Sequence, residues 1–172
     1  MRSFEEFSGG LQRSLARGLG AMAASYRLCL SKAYAQAVAQ ARTAEEIQFL
    51  ANWMATFAHI LWYAIGATRE LTHLIVPNVF EDLYIERPIN RSKNGVLFIR
   101  FAGWCCPGFD IDTRNIQYIL NVEVRRLCAQ YGLPCIRVHV QRRERNRILF
   151  ALALDSDVTR VRGVANVGTL KL

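Results

Sequence analysis

The sequence predicts an α+β protein in which a long N-terminal helical hairpin precedes a small β-α-β-β sheet module. Three observations carry this reading. Apolar residues recur at steps of three and four through the first part of the chain, alternation replaces that period after Asn94-Gly95, and a capped helix separates the alternating runs. The corresponding organisation is a helical hairpin over residues 1–76, a linker over 77–94 and a basic α+β module over 95–172.

The first helix follows from Leu11, Leu15, Leu19, Met22, Tyr26, Leu30, Ala33 and Ala37, and runs from about Leu11 to Ala41. Gly18, Gly20, Ala21, Ala23 and Ala24 give its surface small residues that allow close helix–helix approach. Thr43-Ala-Glu-Glu46 is a capping box, so a second helix begins at Ala44. Its apolar pattern continues past Gly66 to about Leu74, ahead of Pro77.

This second helix holds the strongest constraint in the chain. From Ile47 to Thr68, twenty-two residues pass without a charged side chain. Roughly 20 apolar residues suffice to span a bilayer. The stretch is not uniformly apolar, because Gln48, Asn52, Thr56, His59 and Tyr63 recur at steps of 4, 4, 3 and 4 and form one narrow polar stripe. Trp53, Phe57, Leu61 and Ile65 lie on the much broader opposite face. Such a helix requires apolar surroundings on most sides. Lipid, neighbouring helices or the inside of a soluble assembly would each supply them.

Residues 77–94 contain Pro77 and Pro88 and read as an irregular connection. Beyond them, Val96–Phe101 reads as a strand and 103–109 as a turn. Asp112 is positioned to cap a helix that runs through Tyr131, with Ile116, Leu120, Val124, Leu127 and Tyr131 on its buried stripe. Gly132 followed by Pro134 is a helix-stop order. Ile136–Arg142 alternates cleanly and Ile148–Leu154 is a second β-run, joined by a hairpin loop over 143–147. Val158–Val164 is expected to add an edge strand.

The chain carries a net charge of +8, and 19 of its 22 basic residues are arginine. Residues 1–72 have seven basic and five acidic groups, whereas residues 73–172 have fifteen and nine, so the excess belongs to the second half. Arginine presents a planar fork suited to phosphate or carboxylate, which points to an anionic partner. The candidate anion-binding residues are Arg114, Arg125, Arg137, His139, Arg142, Arg143, Arg145 and Arg147. Phe98 and Arg100 are candidates to share a sheet face with Arg137, His139 and Gln141, an arrangement that could stack bases and hold phosphates.

Five cysteines at irregular spacing do not make a secreted disulfide framework. Cys105, Cys106, Cys128 and Cys135 with His139 are a weak candidate zinc set, weak because no CxxC knuckle is present. The sequence has no P-loop, GxGxxG, GxSxG or HExxH motif, so no catalytic residue, metal or cofactor is expected. Residues 7–44 carry five basic groups and no acid amid many Ala, Ser and Gly, the composition of a mitochondrial targeting helix that is retained.

These features lead to two expectations. One is a non-catalytic structural or interaction subunit of a larger, membrane-associated and mitochondrial assembly, anchored by the apolar hairpin and presenting a basic hairpin to an anionic partner. Its neighbours would be other protein subunits, membrane lipid or a second copy of the chain. The alternative is a cytoplasmic nucleic-acid-binding protein, RNA- or ribosome-associated, that uses an Arg/His sheet face.

Overall fold

The capping chemistry read at Thr43 sets the register of the helical part. In the computed structural model, which describes residues 24–72, 84–105, 112–144 and 146–162, helix α1 spans Ala24–Gln40 and α2 spans Ala44–Ala67. The Glu46 amide donates to Thr43 Oγ1 at 3.1 Å, and the Glu46 carboxylate accepts from the Arg42 amide at 2.8 Å. The reciprocal bond thus forms one residue earlier than in the standard box. Glu45 and Glu46 also place negative charge at the positive end of the helix dipole. The expected first helix before Ala24 lies outside the described residues.

Helix α2 stops earlier than its apolar pattern. Thr68 is extended (φ −105°, ψ 109°) and its hydroxyl donates to the Ala64 carbonyl at 2.7 Å, competing with the backbone ladder. A single further turn, α3 (Arg69–Thr72), follows.

The expected linker is partly wrong. Its second half forms strand β1, Tyr84–Arg91, which pairs antiparallel with β2, Leu97–Trp104. Pro88 argued against a strand, but β1 is at a sheet edge, where proline is tolerated. Register shifts fall between Ile85 and Arg87 and between Arg87 and Asn90. Buried Asn90 stitches the second one, its Nδ2 donating to the Arg87 carbonyl at 2.8 Å and to the Phe98 carbonyl at 3.3 Å. Gly95, at φ +84°, closes the hairpin.

Helix α4 (Thr113–Tyr131) begins as expected, with Asp112 Oδ1 accepting from the Arg114 and Asn115 amides. It ends at Gly132 in the left-handed region, φ 66°. Strands β3 (Ile136–Arg143) and β4 (Arg147–Leu154) follow as a hairpin with Glu144 at φ 57°. Up to Arg162 the expected edge strand at Val158–Val164 is a helix instead, α5 (Asp155–Arg162), and residues 163–164 lie outside the described residues. Asp155 and Asp157 occupy its first turn, where the helix dipole favours carboxylates.

The four-stranded sheet has the order β1-β2-β4-β3 with every neighbouring pair antiparallel. Leu97, Ile99 and Phe101 of β2, Ile148, Phe150 and Leu152 of β4, and Ile136, Val138 and Val140 of β3 share one face. Helices α2 and α4 cover that face, and Phe57, Leu61, Ile65, Leu120 and Val124 join the same core. The two halves of the chain therefore share one hydrophobic interior. The opposite, outer face carries a smaller cluster in which Val158 of α5 packs on Phe98, Ala151 and Ala153. Strand β4 is buried along both faces, which explains its unbroken apolar run.

Both sheet edges are shielded. Pro88 and the register shifts interrupt β1. On β3, Asn121 Nδ2 donates to the Val138 carbonyl at 2.8 Å while the Val138 amide donates to Asn121 Oδ1 at 2.9 Å. The Val140 amide donates to Gln117 Oε1 at 2.9 Å. Side chains of α4 thus stand in for a fifth strand, protecting an edge that would otherwise template pairing.

Candidate anion-binding face

The face expected to anchor the chain is inside it. Phe57 and Leu61 are fully buried, Ile65 is 1% exposed, and half-buried Trp53 packs against the same core. Trp53 stacks on Phe57 at 5.8 Å, and Phe49 meets Phe57 edge-on at 6.0 Å. Lipid could reach this face only by opening the core. The polar stripe is graded: Gln48 is exposed and bonds Asn52 at 2.8 Å, Thr56 and His59 are buried, and Tyr63 is half-buried. Among the described residues, no helix is long and apolar enough to cross a membrane.

The arginines of the second half divide according to the pleat. Arg143 and Arg147 are register partners on the outer face, one residue out of phase with the core positions Val140 and Ile148. Arg142 pairs with Ile148 and so points to the helix side, toward the start of α4. There Arg114 and Arg125 lie on the exposed flank of α4 that borders β3, separated by Tyr118, which is 70% exposed. Neither Arg114, Arg125 nor Arg143 forms an ion pair with any described residue. Arg145 lies outside the described residues.

Other candidates are already engaged. Arg137 pairs with Asp155 at 2.5 Å beside a cleft of about 300 Å³ lined by Gln117, Asn121, Arg125, Cys135 and Arg137. Burial pushes His139 below the ordinary imidazole value, so at neutral pH it adds no charge. Its Nδ1 and Gln141 Oε1 make no hydrogen bond among the described residues.

Glu86 joins two strands on the outer face. Its Oε1 accepts from Arg147 Nη2 at 2.7 Å, and its Oε2 lies 2.7 Å from Arg100 Nε, a charge contact angled poorly for a hydrogen bond. A side-chain hydrogen bond with Tyr84 raises the Arg147 guanidinium pKa, burial opposes it, and the Glu86 charge adds to the rise. One carboxylate thus stands between two guanidiniums, leaving a positive excess.

The sequence made Phe98 and Arg100 candidates to share a base-stacking sheet face with Arg137, His139 and Gln141. The structure buries Phe98 under α5 and ties Arg100 to Glu86. The exposed aromatics here are Trp104 (40%) and Tyr84 (41%). They were missed because Trp104 was assigned to a turn and Tyr84 to a linker. The signal for Trp104 was present in the continued alternation of Phe98, Arg100, Ala102 and Trp104.

The described cysteines belong to no metal-holding cluster. Among the described residues, no three His, Cys, Asp or Glu side chains approach closely enough to hold a metal. Cys105 and Cys128 are buried thiols, Cys135 is half-buried, and Cys106 is outside the described residues. Burial raises the Cys128 thiol pKa, against a backbone hydrogen bond with Ile136, and so favours the unreactive protonated form.

No family model, curated protein or solved structure matches the chain.

Proposed function

We propose that this protein is a non-catalytic interaction module whose second half binds a polyanionic partner through the β3–β4 hairpin and the bordering flank of α4. The observation that carries the reading is the arrangement of Arg114 and Arg125 on one helical flank, with Arg142 and Arg143 at the adjoining hairpin. A folded chain that needed Arg114, Arg125 and Arg143 for stability would pair them. Arg137, Arg147 and Arg126 are paired in that way, whereas Arg114, Arg125 and Arg143 have no carboxylate among the described residues. Uncompensated arginines along one edge raise the local positive potential and speed encounter with anions. An assembly role for the N-terminal helices is not part of this proposal, since the α2 face that would serve it fills the core.

The test is retention on immobilised heparin by the intact chain and by a variant with Arg114, Arg125, Arg142 and Arg143 each changed to Gln. The wild type elutes at high salt and the variant, folded by circular dichroism, at much lower salt. Equal elution of the two proteins refutes the assignment of this surface.

A further inference from the structure

Resting on the polyanion reading, we propose that the hairpin end of the outer sheet face, built by Tyr84, Trp104, Arg143 and Arg147, is a stacking platform for single-stranded nucleic acid.

Register places these residues side by side. Trp104 on central strand β2 pairs with Arg147 on β4, which pairs with Arg143 on β3. On the other side of Trp104, Tyr84 pairs with Ala102, so the two aromatic side chains are diagonal neighbours on the same face. Diagonal pairs on adjacent strands are about 7–8 Å apart. Four-stranded sheets that bind RNA stack two or three splayed bases on aromatics of one sheet face. Ala102 between them leaves the floor flat.

The exposure pattern singles out this end. Elsewhere on the outer face Phe98, Leu149, Ala151 and Ala153 are buried, whereas Tyr84 and Trp104 keep about two-fifths of their surface open. An indole and a phenol at the open end of a sheet offer π-faces that any base can use. The arginines serve two roles. Arg147 is held beside Trp104 by Glu86 and Tyr84, and Arg143 is exposed and without an ion pair among the described residues, free to meet a phosphate. Glu86 is compensated by two guanidiniums, so the described acid that opposes a phosphate at this end is exposed Glu144.

The chemistry favours a single strand over other polyanions. Bases in a duplex are already stacked on each other and present only edges and phosphates. An acidic peptide satisfies the arginines but has no flat ring for Trp104 to stack on.

The experiment titrates the full chain with a roughly 10-nucleotide oligothymidine, a duplex of the same length and polyglutamate, reading anisotropy and tryptophan fluorescence. The oligothymidine is expected to bind more tightly than the duplex or polyglutamate and to quench the tryptophan signal. Trp104→Ala weakens its binding by about 10-fold, the loss typical of one base–aromatic stack, and abolishes the quench. Polyglutamate binding and the urea midpoint stay unchanged, and Trp104→Phe retains most of the affinity. Tyr84→Leu provides a second test if Trp104→Ala does not fold, with the same selective loss expected. Equal binding of all three probes, with Trp104→Ala and Tyr84→Leu neutral, overturns the platform and leaves the polyanion reading standing. Binding to none of them removes both.

Discussion

Replacing Asn121 with alanine should destabilise the protein by about 1.5 kcal/mol, although the residue is only half-buried and lies on a polar helix flank. Its amide satisfies the carbonyl of Val138 while its oxygen takes the Val138 amide. Both bonds to Val138 are lost, each worth about 1 kcal/mol net, while a third, from Nδ2 to the Gln117 carbonyl at 2.9 Å, adds little because that oxygen lies within the helix. The adjacent polar cleft admits water to the freed groups, which limits the additional cost of leaving them unpaired. Alanine returns up to about 0.7 kcal/mol in helix propensity, which leaves the figure above. With a urea m-value of about 2 kcal/mol per molar, the midpoint falls by about 0.7 M. Val122→Ala is the control, since Val122 is 53% exposed on the same helix and should move stability by less than about 0.5 kcal/mol. Adding Gln117→Ala, which frees the Val140 amide, should lower the midpoint further and promote self-association through the uncovered β3 edge. An Asn121→Ala midpoint no lower than that of Val122→Ala refutes the idea that α4 side chains complete the sheet.

Further outcomes follow from the same packing. Phe57→Ala removes a fully buried ring between Phe49 and Trp53 and should cost about 3–5 kcal/mol, read as a lowered thermal midpoint of the isolated chain. An unchanged midpoint would mean that the α2 face is not core. Gly132→Ala forces a Cβ into the left-handed region at φ 66°, with no neighbour within 4 Å, and should cost about 1 kcal/mol from backbone strain alone. Gly132→Asn should cost less, and equality of the two would argue against a left-handed cap. Burial holds His139 below the ordinary imidazole value, so the unfolded chain binds its proton first as pH falls. Its contribution to stability is intact above pH 6.5 and declines below it, down to the lowered native pKa. His139→Gln should flatten the urea midpoint between neutral pH and about pH 5, and an unaltered slope would contradict the burial.

The sequence alone determined the features written in short-range chemistry. Thr43 and Glu46 set the start of α2, Asp112 and Gly132 bracket α4, and the alternation from Ile136 marks β3, because each depends on residues within a turn or two. The sequence also showed that the α2 stretch could not face water. It could not say what would cover that stretch, since lipid, a partner and the chain's own sheet satisfy an apolar face equally well. Only the tertiary structure placed Phe57, Leu61 and Ile65 against the sheet and α4. Three further outcomes were settled at the same level. Edge position made Pro88 acceptable in β1, the outer sheet face gave Val158 a helical seat, and the pleat divided one run of arginines between two surfaces. Each depended on strand order, which is decided by contacts between residues far apart in the chain.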